Sequence, residues 1–149
     1  MHGIVTDSVA AGASLVTGGT HEGLFYKPTV PGGVATDTRV FQEEIFGPVA
    51  PVTIAEDDDH AIELANSTGY GLAAAVQTGS VERGMRVARK LKAGMVHVND
   101  QTINDHPGIP MGGEGQSGNG ARFGSTTNLG RVHRVAVGTV SGQPARYPF

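Results

Sequence analysis

The stretch Phe41–Val49, Phe-Gln-Glu-Glu-Ile-Phe-Gly-Pro-Val, contains the residues best suited to bind a ligand. Gly47-Pro48 is a turn signal, and a residue that precedes a proline is pushed out of the helical region. Glu44 and Phe46 are therefore predicted to lie on a fixed loop at a sheet edge, where a rigid scaffold commonly holds binding groups. On spacing alone, the burial habits of these residues favour an alternative, a solvated pair of glutamates before a core phenylalanine.

Two further motifs contain residues typical of known functional sites but lack the flanking sequence that those sites require. Gly113–Gly118 matches the pattern G-x-G-x-x-G, yet no strand leads directly into it, no clear helix follows, and an acid about 20 residues later is missing. Ser117 lacks the final glycine of a nucleophile elbow. Dinucleotide binding and serine hydrolysis are both disfavoured, and close packing of glycine backbones is the preferred interpretation.

No metal site is predicted, because the six histidines form no close ligand pair at helical spacing. The acidic run Glu56–Asp59 lacks the alternating spacing and the glycine of a calcium loop, and it is better explained as the start of a helix. His97 alternates with valines and is predicted to be a hydrogen-bonded sheet residue. His106 follows a strand end, where α/β proteins bind ligands, so a substrate-facing role stays open.

Composition excludes several classes of protein. The chain has 149 residues, of which 38% are hydrophobic, 17% charged and 23 glycine, as expected of one loop-rich domain. The net charge of −3 and the absence of a long basic run argue against nucleic-acid binding. No apolar run reaches the length of a membrane span and no signal peptide is evident, so a cytoplasmic protein is expected. Cysteine is absent, which excludes disulfides, thiolate zinc ligands and a cysteine nucleophile.

The order of elements predicts an α/β fold with a largely parallel sheet flanked by helices. Strand Leu72–Gln77, helix Val81–Lys92 capped by Ser80, and strand Met95–Asn99 form a predicted βαβ unit. The other predicted elements are a helix over Met1–Ala13, strands or extended segments over Ser14–Thr17, Leu24–Val30 and Ala50–Ile54, a helix over His60–Ser67, and a last strand over Arg131–Val140. The long irregular stretch Gln101–Gly130 is predicted to be functional.

Taken together, these segments resemble the C-terminal part of the aldehyde dehydrogenase superfamily. The resemblance covers essentially the whole chain and rests on Glu43–Val49, Ala61–Leu72, Ala93–Asn99, Pro110–Gly113 and Ser117–Gly120, which occur in the family's order and spacing. Val96–Thr102 and the Tyr-Pro-Phe ending are similar to the benzaldehyde and vanillin dehydrogenase branch.

The resemblance implies oxidation of an aldehyde to its acid with NAD or NADP through a cysteine thiolate, and the similarity to the benzaldehyde and vanillin dehydrogenase branch implies an aromatic aldehyde. Glu44 corresponds to the glutamate that binds the nicotinamide ribose, and Phe46 to the phenylalanine beside the nicotinamide ring. The implied wall of the substrate tunnel contains Asp100, Thr102, His106 and Met111. In the family, the nucleophilic cysteine, the base glutamate and the Rossmann domain all lie upstream, so this chain alone is expected to be inactive and to bind no NAD(P).

The resemblance also divides the chain, into a partial catalytic domain over residues 1–130 and an oligomerisation strand with its tail over residues 131–149. The family strand helps to build a dimer sheet, so a homo-oligomer is expected, strand-exchanged through Arg131–Val140. One alternative is a non-catalytic binding or assembly module, and another is complementation by a separate chain that carries the cysteine. Met111, Glu114-Gly115 and Gly130 depart from the family pattern, which suggests weaker constraint.

Overall fold

The computed structural model describes residues 1–104, 106, 108–124, 137–140 and 142. The chain forms two units, Met1–Asp57 and Asp58–Phe149. Both mix helices with short strands, and the described residues contain no helix of sufficient length and hydropathy to span a membrane.

The first unit contains two helices and two small antiparallel sheets. The helices are α1 (His2–Ala10) and α2 (Arg39–Gln42). Strand β1 (Ser14–Thr17) pairs with β4 (Val30–Gly32), and β2 (His21–Glu22) pairs with β3 (Phe25–Tyr26). The prediction for β1 is therefore confirmed at both ends.

The core of the first unit lies between the two helices and the segment that follows α2. Buried Ala13, Val34 and Val40 form its centre, against which four partly buried residues pack: Ile4, Phe41, Ile45 and Val49. Ser8 links the helices, because its buried hydroxyl donates to the Ile4 carbonyl (2.8 Å) and accepts from the Val40 amide (3.1 Å). That bond satisfies one of the amides that the start of α2 leaves without a helical partner.

The strand predicted over Ala50–Ile54 does not form. Val49 and Val52 make only isolated parallel bridges, to Thr29 and Gly32 respectively. The amides of Ala50 and Val52 donate to the carbonyls of Thr29 and Pro31, but Pro31 has no N–H to donate to the Ala50 carbonyl, so the ladder is interrupted between the two bridges. The extended segment predicted over Leu24–Val30 is likewise divided, since β3 ends at Tyr26 and β4 begins at Val30.

The second unit is built on a three-stranded parallel sheet. Its elements are α3 (Asp58–Ala65), β5 (Tyr70–Gly71), β6 (Ala73–Val76), α4 (Val81–Ala88), β7 (Met95–Val98), β8 (Glu114–Gly115) and β9 (Val137–Val140). The sheet order is β6-β7-β9, with both ladders parallel, and β5 pairs with β8 in antiparallel fashion. The Ser80 hydroxyl accepts from the Arg83 amide (3.2 Å), which is the predicted cap of α4.

The parallel ladders are restricted to these three strands, because the other described sheets are antiparallel. A largely parallel sheet thus remains a prediction for the complete protein. The strand predicted over Arg131–Val140 is seen only at Val137–Val140, and residues 131–136 lie outside the described part. β9 pairs with β7 of the same chain in parallel register.

Ion pairs join α3 to α4 and to the residues that directly follow α4. Arg83 lies 2.5 Å from an Asp58 oxygen, Arg86 lies 3.5 Å from the other, and Lys90 lies 2.6 Å from Asp59. Both carboxylates belong to the first turn of α3, where negative charge also complements the helix dipole. The helix thus includes the end of the acidic run, instead of beginning at His60 as predicted.

Close contacts between glycine backbones shape the loop that contains residues 110–124. A Cβ at Gly94 would lie 1.7 Å from the Gly112 carbonyl oxygen. At Gly113 it would lie 2.1 Å from the Ser117 carbonyl oxygen, and at Gly118 it would lie 2.1 Å from the Gly113 carbonyl oxygen. The G-x-G-x-x-G pattern is therefore explained by backbone packing, as the sequence favoured.

Gly94→Ala is expected to destabilise the fold by about 3 kcal/mol, the upper part of the range for overpacked sites, because backbone atoms must move apart. Urea denaturation followed by circular dichroism measures the effect. Gly79→Ala is the matched control, since a Cβ there meets no atom within 4 Å. Equal denaturation midpoints for the two variants would contradict the close approach.

Hydrogen bonds from Arg83 lower the pKa of the Asp58 carboxyl, with a smaller contribution from the charges of Arg83 and Arg86. Because the Asp58 pKa is lower in the folded chain than in the unfolded chain, the ionised carboxylate stabilises the fold at pH values above the ordinary aspartate pKa. This stabilisation is lost as the pH falls through the folded-state pKa. Arg83→Gln should raise the Asp58 pKa, measured by NMR titration, and should reduce the acid sensitivity of unfolding. Arg89→Gln is the control, and an unchanged Asp58 pKa in Arg83→Gln would refute the pairing.

Candidate functional site

The loop that follows α2 packs one side chain against the core and exposes its two candidate binding residues, Glu44 and Phe46. Ile45 packs against the core, whereas Glu44 is exposed and Phe46 is 88% exposed. Glu43 already has an extended backbone (φ −103°, ψ 142°), and side chains alternate in direction along such a backbone. The alternative of a core phenylalanine at position 46 is wrong, because Ile45 fills the inward position.

The loop is fixed in place by hydrogen bonds to Thr29, the residue that precedes β4. The Thr29 amide donates to the Pro48 carbonyl, and the Ala50 amide donates to the Thr29 carbonyl, both at 2.9 Å. Thr29 is itself buried, and its hydroxyl donates to the Lys27 carbonyl and accepts from the Gly19 amide. These bonds restrict the backbone that presents Phe46.

The two glutamates of the loop have different roles. Glu43 accepts hydrogen bonds from Arg39 at 2.6 and 3.1 Å, and the same guanidinium donates to Asp7 of α1 at 2.6 Å. The hydrogen bonds from Arg39 lower the pKa of the Glu43 carboxyl. No hydrogen bond or ion pair joins the Glu44 carboxylate to any described residue. Glu43 is therefore structural, while Glu44 is available to a ligand.

The available groups at this loop are one carboxylate and one aromatic face. A carboxylate accepts several hydrogen bonds and can bind a pair of hydroxyl groups. An exposed ring offers a face to another planar group. Glu44 and Phe46 are thus chemically suited to a ligand that combines a diol with a flat ring.

In the second unit, Asp100 follows a tight backbone turn at the carboxyl end of β7. Asn99 has a positive φ of 59° and is 1% exposed, and its side-chain oxygen accepts from the Thr78 amide at 2.8 Å. The Asp100 carboxylate accepts from the Gln101 amide (2.8 Å) and from the Asn104 side chain. Asp100 therefore organises the turn, and the exposed Thr102 lies within it.

His106 and Met111 lie further along the same connection, in which residues 105 and 107 are outside the described part. His106 is exposed, and its Nδ1 accepts from the Gly108 amide (3.1 Å). Met111 is 39% exposed and forms an antiparallel bridge with Phe123. The six predicted site residues thus divide into a loop pair in the first unit, Glu44 and Phe46, and four residues in the second.

Sequence reasoning overlooked Arg39 and Arg122. The Arg122 side chain is 10% exposed, donates to the Gly113 carbonyl at 2.9 Å and lies 3.5 Å from Glu114. The sequence offered one signal for Arg122: it lies in a glycine-rich segment that also contains the acidic residue Glu114. The Ser117 hydroxyl, disfavoured by its sequence surroundings as a nucleophile, accepts from the Gly71 amide (3.1 Å) and so joins this segment to β5.

A cavity of about 160 Å³ lies elsewhere in the second unit and includes none of the six predicted residues. Its lining residues are Asp58, Ala61, Val76, Gln77, Thr78, Arg83 and Val87. The part of the chain that the structure describes contains no group of three or more His, Cys, Asp or Glu side chains placed to hold a metal ion.

Comparisons with curated proteins identify relatives along the full chain. The sequence is 42% identical over 149 residues to the NAD(+) benzaldehyde dehydrogenase of Pseudomonas putida, covering 100% of this chain and 31% of the relative. It is 41% identical over 150 residues to a vanillin dehydrogenase of Amycolatopsis, again covering 100% and 31%. The chain therefore spans about a third of the length of these relatives.

Solved structures share the fold. An NAD-dependent aldehyde dehydrogenase from Sinorhizobium meliloti matches with a TM-score of 0.76 and 38% identity, over 83% of this chain and 25% of that one. A salicylaldehyde dehydrogenase from Pseudomonas putida G7, complexed with salicylaldehyde, matches with a TM-score of 0.80 and 33% identity, over 84% and 26%. A profile described as the aldehyde dehydrogenase family matches residues 1–136. Since this match extends over most of the sequence and the fold agrees with it, the chain belongs to the aldehyde dehydrogenase family.

Proposed function

We propose that this chain supplies part of the cofactor site and of the substrate tunnel of an NAD(P)-dependent aldehyde dehydrogenase, with aromatic aldehydes as the favoured substrates. The loop that presents an unpaired Glu44 and an exposed Phe46 carries this proposal. The benzaldehyde and vanillin dehydrogenases among its relatives support the substrate class.

In the complete enzyme, Glu44 would accept hydrogen bonds from the hydroxyls of the nicotinamide ribose, and Phe46 would pack against the nicotinamide ring. Such contacts would hold and orient the ring, because a reacting pair must be held at close range and correct angle. Asp100, Thr102, His106 and Met111 contribute to the wall of the substrate tunnel. The chemistry of hydride acceptance belongs to the cofactor, while these residues bind and position.

This chain alone does not oxidise aldehydes. It contains no cysteine, so no thiolate is available to attack the carbonyl carbon. Two side chains at one loop also contribute too little to offset the loss of translational and rotational freedom on binding, so NAD(P) is not held by the chain alone. The cysteine, the base glutamate and most cofactor contacts come from the family's upstream part.

A non-catalytic assembly module is the second candidate function, and the position of β9 favours it. Among the described strands, β9 lies at an edge of the parallel sheet and pairs with β7. A strand at the edge of a sheet can be exchanged with that of a second copy at low cost. In this proposal residues 1–130 form a partial catalytic domain, residues 131–149 form the assembly segment, and Arg131–Val140 exchanges between copies. A cytoplasmic location stays a prediction.

Complementation tests the catalytic proposal. The purified chain with NAD(+) and benzaldehyde should produce no NADH, whereas addition of a polypeptide equivalent to the upstream two thirds of the Pseudomonas putida relative should restore oxidation. Glu44→Gln and Phe46→Leu should then lower the restored activity by roughly 10–100-fold, since misplacement of a reacting group by 1 Å can cost about 100-fold.

Matched controls for this experiment are Glu63→Gln on α3 and Phe25→Leu on β3, both at exposed positions. These variants should retain the restored activity. NADH formation by the chain alone would overturn the expected inactivity. Activity of Glu44→Gln or Phe46→Leu equal to that of its control would overturn the assigned cofactor contact.

Static light scattering at micromolar concentration tests the assembly proposal. The chain should have the mass of two or more copies, and a version that ends at Gly130 should be monomeric, because it lacks the exchanged strand. A monomeric full chain would count against assembly, and an oligomer that persists without residues 131–149 would place the interface elsewhere.

A further inference from the structure

Three ring side chains from three different elements converge in the first unit, and none of them belongs to the proposed cofactor site. His2 begins α1, His21 begins β2 and Tyr26 ends β3. The ring centroids of His2 and His21 are 5.0 Å apart, and His2 Nδ1 lies 3.1 Å from the Tyr26 hydroxyl. His21 and Tyr26 face each other across the β2–β3 ladder and stack with centroids 6.0 Å apart.

These separations match those of ligands around one metal ion. Two ligand atoms at about 2.0–2.1 Å from a tetrahedral metal are about 3.3 Å apart, and two such imidazole rings have centroids about 5.2 Å apart. The distance from His2 Nδ1 to the Tyr26 oxygen is 3.1 Å, and the distance between the imidazole centroids is 5.0 Å. An ion bound to both atoms would lie to one side of the line between them, because 3.1 Å is shorter than the two metal–ligand bonds together, and the proton that His2 and Tyr26 share would be released to solvent.

The remaining nitrogen of His21 is held as a metal ligand usually is. His21 Nδ1 lies 3.3 Å from the Gly23 carbonyl oxygen, so this nitrogen carries the proton and donates it. Nε2 then keeps its lone pair. A backbone carbonyl that binds one ring nitrogen in this way fixes the tautomer and orientation of metal-ligating histidines.

We propose that His2, His21 and Tyr26 form a binding site for a divalent transition-metal ion of the type that imidazole prefers, Zn²⁺, Cu²⁺ or Ni²⁺. Water completes the coordination. All three side chains are accessible to solvent, so an ion reaches them without any opening of the fold. The sequence concealed the site because the two histidines are far apart in the chain and are not at helical spacing, and because the third ligand is a phenol.

The bound ion would join α1 to the β2–β3 hairpin. Each strand of this hairpin has two residues, and an isolated two-stranded hairpin is marginally stable at best. A ligand that binds only the folded arrangement stabilises it by mass action. The metal is therefore expected to stabilise the hairpin against α1, independently of any cofactor or aldehyde chemistry.

Isothermal titration calorimetry of the tag-free chain with Zn²⁺, and separately with Cu²⁺ and Ni²⁺, tests this proposal near neutral pH. One ion per chain should bind with a dissociation constant in the micromolar range. His2→Gln and His21→Gln should each weaken binding more than about tenfold, since loss of even an outer-shell partner costs 10–100-fold. His106→Gln, which changes an exposed histidine of the second unit, is the control and should bind as the unaltered chain does.

Two further measurements separate the site from simple ring packing. With Cu²⁺, a phenolate-to-copper charge-transfer band should appear and should be lost in Tyr26→Phe, which keeps the ring stacking. Zn²⁺ should raise the urea midpoint of the unaltered chain but not that of His21→Gln. Absence of binding, or equal affinity in His21→Gln and His106→Gln, would overturn the proposal. A loss confined to His2→Gln would also overturn it, because His21 would then contribute nothing to binding.

Discussion

The packing of Ile45 against Ala13, Val34 and Val40 is the constraint on which the proposed cofactor contacts depend. With Ile45 directed inward, the extended backbone turns the side chains before and after it outward. Thr29 then holds the backbone on the far side of Gly47-Pro48 through two hydrogen bonds. The Phe46 ring is 88% exposed, and contact between so large an apolar surface and water is unfavourable. A planar ligand that covers the ring removes this contact.

Electrostatics complete this arrangement by separating two adjacent glutamates. Arg39 bonds both Asp7 on α1 and Glu43 after α2, so one guanidinium links the two helices and occupies one carboxylate. These groups are about half exposed, and solvent screens such pairs, so their main effect is on orientation and not on stability. The occupied Glu43 leaves Glu44 as the acidic group of the loop that is available for binding.

The second unit uses backbone contact where the first uses side-chain packing. Between β7 and β9 the described chain forms only the two-residue strand β8 and one bridge. Glycines at positions 94, 112, 113 and 118 allow carbonyl groups to approach where any Cβ would collide. Arg122 adds a charged donor to this contact, and Ser117 joins it to β5. In a glycine-rich phosphate-binding loop, the backbone faces the ligand. In this segment the glycine backbones pack against other parts of the chain instead.

Strong local signals were sufficient to predict some elements. Ser80 as a helix cap, β1, and the buried strand β7 follow from capping chemistry and from apolar runs, and the structure agrees. The strand predicted at Ala50–Ile54 is reduced to isolated bridges because Pro31, on the partner segment, has no N–H to complete the ladder, and apolar content does not encode that loss. The helix predicted to end at Lys92 ends at Ala88, and boundaries of this kind depend on tertiary contacts that local propensity does not contain.

By itself, the sequence determined the family, the position of the candidate loop and the absence of a thiolate, because these depend on residue identity and order. Only the tertiary structure distinguished Glu43 from Glu44, since that difference depends on which carboxylate Arg39 reaches. It also decided that Ile45 and not Phe46 enters the core, and it brought His2 beside His21 and Tyr26. Contacts of this kind join residues far apart in the chain, and no local pattern of residue types encodes them.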